Sequence, residues 1–148
     1  MMANQITFRM DGLQELGQRM RKLSEKVAKQ AAGRATGRAA AIVKKAARNR
    51  LKAERVDTHL LEKHVISKKL PKSKTQLTSE HIVTVKKVIY HRAGNKRVAT
   101  RKVGSLVEFG TVNMPAVPYL RTGLSNNLDK AREAMRTTLE KAIIKGGA

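Results

Sequence analysis

Apolar positions along the chain fall into two helical stretches that flank an alternating, β-branched middle. Leu13, Leu16, Met20, Leu23 and Val27 recur at steps of three and four, the period of one amphipathic helix face. Asp11 precedes them as an N-cap, and Gln14 stands three residues on as its capping-box partner. Ahead of this helix, residues 5–9 predict a short strand with Ile6 and Phe8 on one side. The helical pattern continues through AAGRATGRAAAIVKKAA, residues 31–47, where small side chains permit close approach of another backbone. Gly33 and Gly37 each cost about 1 kcal/mol relative to Ala inside a helix, so a kink or break is expected near them.

Beyond Asn49 the pattern weakens and turns extended. Asp57 and Thr58 mark a turn or cap before LLEKHVISKKL, Pro71 closes that segment, and residues 68–74 read as a basic surface loop. Residues 81–91 predict a strand with Val83, Val85 and Ile89 on one face. RAGNKRVATRK, residues 92–102, carries Gly94-Asn95 and reads as a hairpin tip, with residues 103–109 as its returning strand. Leu120, Leu124, Leu128, Ala131, Met135, Leu139 and Ala142 then share a face of a long C-terminal helix that Gly146 and Gly147 stop. The expected fold class is α+β: a long N-terminal helix or helix pair, a small antiparallel sheet with a basic hairpin, and a C-terminal helix. No repeat or low-complexity linker divides residues 1–148, so one domain is expected.

Composition narrows the chemistry. Aromatic residues are 3% of the chain and Trp is absent, so the core must be built from aliphatic side chains and Ala. The absence of Cys excludes disulfides, thiolate metal sites and cysteine nucleophiles. No apolar run approaches the length of a membrane span, and the N-terminus lacks the pattern of a secretory signal. Synthesis and assembly in a cytoplasm, away from membranes, are the expectation.

The net charge of +21 points to a polyanionic surface, nucleic acid or acidic protein, as partner. At about 100° per residue, Arg34, Arg38, Lys45, Arg48 and Lys52 fall within a helix sector of roughly 80°. Ala35, Ala39, Ile42, Val43 and Ala46 occupy the other side, so this helix carries a cationic stripe and a packing face. Residues 81–107 contain no acid, and Arg92, Lys96, Arg97, Arg101 and Lys102 crowd the hairpin. Both groups are candidate contacts for DNA or an acidic neighbour.

Catalytic chemistry finds no constellation. His59 and His64 are spaced for neither a helix pair nor a strand pair, and His81 and His91 stand at opposite ends of the expected strand. Phosphate-binding, dinucleotide-binding, zinc-protease and nucleophile-elbow motifs are missing from the sequence, and its eleven carboxylates are scattered. The expectation is a protein that catalyses nothing and carries no cofactor or metal.

The most specific passage is LVEFGTVNMPAVPYLR, residues 106–121. Read as extended, it places Val107 and Phe109 on one side and Leu106 and Glu108 on the other. Gly110-Thr111 turns the chain, and Pro115 and Pro118 stiffen the approach to the last helix. Glu108 and Arg121 flank this connector and are expected to pair across it. Phe109, Pro118, Tyr119 and Leu120 are expected to anchor it to the core.

LVEFGT, with MPAVPYLR a short distance on, resembles the signature of the tail-completion, or head–tail joining, family of long-tailed phages. That family shows a hydrophobic-Glu-Phe-Gly-Thr run, then Pro-Ala-x-Pro-aromatic-Leu-Arg, then a C-terminal helix. Its early Gly-Leu-x-x-Leu helix is matched by Gly12, Leu13 and Leu16. The chain departs from it at Thr58-His59-Leu60-Leu61, where the family has Thr-Gly-x-Leu, and at Arg121-Thr122-Gly123, where the family has Arg-Pro-Ala. The resemblance implies a virion protein at the neck. It would be a homo-oligomer, generally a hexameric ring, between the tail terminator or tail tube and the head connector, with packaged DNA passing nearby. The rival reading is a basic DNA- or RNA-binding module of histone-like or ribosomal kind, which explains the charge and leaves residues 106–121 without a purpose.

Overall fold

The computed structural model describes residues 6–8, 14–54, 59–71 and 79–146. Asp11, Gly12, Leu13, Asp57, Thr58 and Gly147 lie outside the described residues, as do residues 72–74 of the expected basic loop at 68–74. The architecture is α+β. Strand β1 (Ile6–Phe8) leads to helix α1 (Gln14–Arg21) and the long helix α2 (Glu25–Ala53). Helix α3 (His59–His64) runs directly into β2 (Val65–Lys69), followed by β3 (His81–Val85). A ribbon of β4 (Ile89–Arg92) and β5 (Lys96–Ala99) joins α4 (Thr100–Phe109), and α5 (Tyr119–Ser125) and α6 (Leu128–Gly146) complete the chain.

Helix α2 is the centre of the molecule. It packs against α5 and α6 on one side and against β2 and β3 on the other. Ala31, Ala32, Ala35, Ala39, Ala40, Val43 and Ala47 are buried along it, so partners reach its backbone closely on more than one face. From α6, Ala131, Met135, Leu139 and Ile143 meet it at helical spacing, and Leu16 and Met20 of α1 close the same core. Glu25 in the first turn of α2 and Arg50 and Lys52 in the last complement the helix dipole.

The break in the N-terminal helical stretch falls at residues 22–24, not at the expected glycines. There the amides of Lys22 and Leu23 bond the carbonyls of Arg19 and Met20, and Ser24 takes an extended conformation. Gly33 and Gly37 lie in unbroken helix because they face the sheet. A Cβ on Gly33 would sit 2.8 Å from Lys69 Nζ, and one on Gly37 would sit 3.3 Å from the His81 ring. Helix α2 also runs on through Ala53, past the point where the apolar pattern weakens, because its last turns pack against α3 and bury Leu51.

The main sheet has the order β1-β3-β2, antiparallel throughout, with Ile6 opposite Val83 and Val65 opposite Val85. Val65, Val83 and Val85 face α2 and are fully buried. The expected single strand over 81–91 is instead two strands in two sheets. Residues 86–88 leave the first sheet, and Ile89 is 46% exposed at the root of the ribbon instead of sharing a face with Val83 and Val85. Residues 68–69 continue β2 and are not loop. The expected long C-terminal helix is divided at Asn126-Asn127, where Asn127 Nδ2 donates to the Gly123 carbonyl. Of its expected face, Leu120, Ala131, Met135 and Leu139 are buried, Leu124 and Ala142 are half-buried, and Leu128 is exposed.

Candidate functional site: the Glu108 clamp and the basic ribbon

Residues 103–109 form a helix, not the returning strand of a hairpin; that strand is the four-residue β5. Thr100, Gly104, Val107 and Glu108 make the inner face of α4 at helical spacing. The outer face carries Lys102, Leu106 and Phe109. Period two is therefore wrong for this run: Val107 and Glu108 point inward together, while Leu106 and Phe109 are 40% and 50% exposed.

Glu108 is 1% exposed and organises everything after it. Its carboxylate accepts the backbone amides of Leu120 at 2.9 Å and Arg121 at 3.1 Å, so it caps α5 from twelve residues upstream. The expected Glu108–Arg121 pair is present, with Arg121 Nε 3.1 Å from Oε1. Arg121 Nη2 also donates to the Glu108 carbonyl. A buried negative charge is thus met by two aligned N–H groups, the positive end of a helix and a guanidinium. The arginine is 62% exposed, so the backbone amides carry more of the stabilisation than the ion pair does.

Between the two ends the connector is tightly held. Gly110 adopts φ +76°, ψ 177°, a region essentially reserved for glycine. A Cβ there would lie 2.7 Å from the Ala116 amide nitrogen and 2.9 Å from the Met114 carbonyl oxygen. Thr111 and Met114 exchange backbone hydrogen bonds, and the Val117 amide donates to the Val107 carbonyl at 2.7 Å. Pro118 precedes the first residue of α5, where a missing donor costs the helix nothing. The helix therefore starts at Tyr119, ahead of Arg121-Thr122-Gly123.

Tyr119 and Leu120 are buried as expected. Tyr119 donates its hydroxyl to the Gly104 carbonyl. Burial, and then the charge of Glu108, push its ionisation far above the ordinary tyrosine range. Phe109 is not the core anchor expected of it. It lies outside, with the Arg121 guanidinium 5.1 Å above its ring. Leu106, Phe109, Val112 and Met114, all within this one segment, are exposed apolar side chains, and Pro115 is exposed as well.

The cationic stripe of α2 divides by role. Arg34, Arg38 and Lys45 are exposed. Arg48 instead bonds the Val65 carbonyl through Nε (3.1 Å) and Nη2 (2.7 Å), fastening the α3–β2 junction to α2, and Lys52 pairs with Glu62 of α3. The ribbon has a similar internal fastener. Thr100 Oγ1 donates to the Lys86 carbonyl and accepts the Val88 amide, and the Thr100 amide donates to the Val88 carbonyl. Arg101 Nε donates to the Val85 carbonyl. Arg92, Lys96, Arg97 and Lys102 are exposed.

One polar cluster is not evident in the sequence. Thr36 donates to the Ala32 carbonyl, and its hydroxyl oxygen also meets Ser79 Oγ at 3.1 Å and His81 Nδ1 at 2.8 Å. A lone Thr within an Ala-rich helix is the one signal of it, since its hydroxyl needs partners when buried. Burial and the neighbouring Lys69 charge lower the pKa of His81. The cluster joins α2 to β3 and leaves no buried side-chain N or O unbonded among the described residues. Among the described residues no group of three or more His, Cys, Asp or Glu is placed to hold a metal ion, and no helix is long and apolar enough to cross a membrane. No protein-family model, curated protein or solved structure matches this chain.

Proposed function

We propose that this protein is a structural subunit of a phage neck, a ring component that completes the tail and joins it to the head connector. The observation that carries the reading is the behaviour of residues 106–121. The residues that resemble the tail-completion signature form one bonded unit around Glu108, and that unit holds Leu106, Phe109, Val112 and Met114 out in solvent. Exposed apolar side chains carried by one rigidly bonded segment suit a protein–protein contact. Repeated head to tail, such a contact closes a ring when its rotation permits. A high positive charge hinders free self-association in dilute salt and favours assembly among acidic partners, as in a neck around a DNA channel. The protein would act by fit and position, without a cofactor.

Deletion of the gene from the phage genome that carries it tests this. Electron microscopy of the lysate is expected to show filled heads and finished tails that remain separate, restored to joined particles by supplying the protein in trans. Joined, infectious particles at normal yield without the protein overturn the reading.

A further inference from the structure

The β4–β5 ribbon stands apart from the main sheet and shows its cations on both sides. Directly opposed residues share a face, so Arg92 and Lys96 stand together on one side and His91 and Arg97 on the other. The turn between them is made by Gly94 and Asn95, both in the left-handed region, which keeps the tip narrow. Nearer the root the same two faces carry Tyr90 with Val98 and Ile89 with Ala99. The ribbon therefore has an apolar base and a cationic end.

Opposed residues in an antiparallel pair have Cβ atoms about 4.5–5.5 Å apart, and like charges there are destabilising. Arg92 and Lys96 are such a pair, and neither they nor Arg97 has an ion pair with any carboxylate among the described residues. The fold tolerates this repulsion at an exposed tip where an external anion would relieve it. The Thr100 fastener adds to the same field by drawing residues 86–88 beside the start of α4. It sets Lys86 and Lys87 near Arg101 and Lys102 at the ribbon's root, all four exposed.

We propose that the β4–β5 ribbon is a binding element for double-stranded DNA, its tip seated in a groove with Arg92 and Lys96 on the phosphates of one strand and Arg97 on those of the other. The major groove of B-form DNA admits a two-stranded ribbon, whereas that of duplex RNA is too narrow and deep. Cations on both faces match a groove walled by phosphate on two sides. The tip itself, Ala93-Gly94-Asn95, offers no large apolar anchor of the kind that centres protein–protein contacts, which argues against an acidic protein as occupant. The inference stands on the ribbon alone and does not need the neck reading.

Binding of the intact protein to a mixed-sequence DNA duplex, monitored by fluorescence anisotropy across a salt series, tests it. Replacing Arg92, Lys96 and Arg97 together by Ala is expected to reduce the slope of log K against log salt by about 2.7 and to weaken binding on the order of 100-fold near physiological salt. The charge-matched control, Arg34, Arg38 and Lys45 to Ala on α2, is expected to leave the slope nearly unchanged. Equal losses from the two triple variants overturn the proposal. The single variant Lys96→Glu sets a carboxylate opposite Arg92, which supports the hairpin while removing phosphate contact. It is expected to bind DNA more weakly, and unchanged affinity overturns the proposal. Replacing Arg92 and Arg97 by Lys is expected to keep the slope. Duplex RNA binding as tightly as DNA, or polyglutamate displacing DNA at equal charge concentration, also overturns it.

Discussion

At the scale of single residues, Glu108 and Arg121 look like equal partners in the sequence and are unequal in the fold. Removing Glu108 strands two amides at the start of α5, each worth about 1–3 kcal/mol when left unbonded in a buried place. Glu108→Ala is therefore expected to destabilise by about 3 kcal/mol in urea unfolding, and Arg121→Ala by about 1 kcal/mol, since its side chain is mostly exposed. Equal costs would mean that the ion pair, not the cap, is the main bond. His81 gives a second prediction. Its folded pKa lies below the unfolded value of 6.5, so the unfolded chain takes up the proton first as pH falls. Its contribution is complete above the unfolded pKa and is lost as pH drops from about 6.5 toward the folded value. Wild-type urea midpoints are expected to fall between about pH 7.5 and pH 5.5 by more than those of His81→Gln, which lacks this titration.

At the scale of elements, the amphipathic helices were legible because their apolar spacing extends over many residues, and the class of the fold came with them. Short runs were not. In TRKVGSLVEF, Val103, Leu106 and Val107 suit a helix, while alternating Leu, Val, Glu and Phe suit a strand, and ten residues cannot decide between periods. Tertiary contact decided: α4 buries Val107 and Glu108 on one face and leaves Phe109 out. The same holds for the glycines, whose cost in helix propensity was legible but whose neighbours were not. Gly33 faces the flexible end of Lys69, so Gly33→Ala is expected to gain up to about 1 kcal/mol from helix propensity. At Gly123 of α5 a Cβ would lie 3.2 Å from the Ala47 backbone nitrogen, in the rigid contact between α5 and α2. Gly123→Ala is expected to lower the thermal midpoint while Gly33→Ala raises it, as melting of the two variants will show. Of the candidate site, the motif residues were readable as a unit, but which of them would be buried depended on the helix.

At the scale of the whole molecule, the charge of +21 was plain in the sequence, whereas its division of labour was not. Arg48 and Arg101 bond backbone carbonyls, and Lys52 pairs with Glu62. The exposed cations left to meet a partner include Arg34, Arg38 and Lys45 on α2 and Arg92, Lys96 and Arg97 on the ribbon, with others spread over α1 and α6. The central place of α2 has a different consequence. Among the described residues, most of the packing between elements before the ribbon tip and those after it runs through α2 onto α5 and α6, with smaller direct contacts from α1 to α6 and from α3 to α4. A chain severed at Gly94-Asn95 would lose one covalent link across an exposed turn and retain the α2 interfaces that unite its halves. Residues 1–94 and 95–148, expressed together as separate polypeptides, are expected to copurify as a folded pair, each unable to fold alone. The molecule is, in that sense, two interlocking fragments that share a single hydrophobic spine.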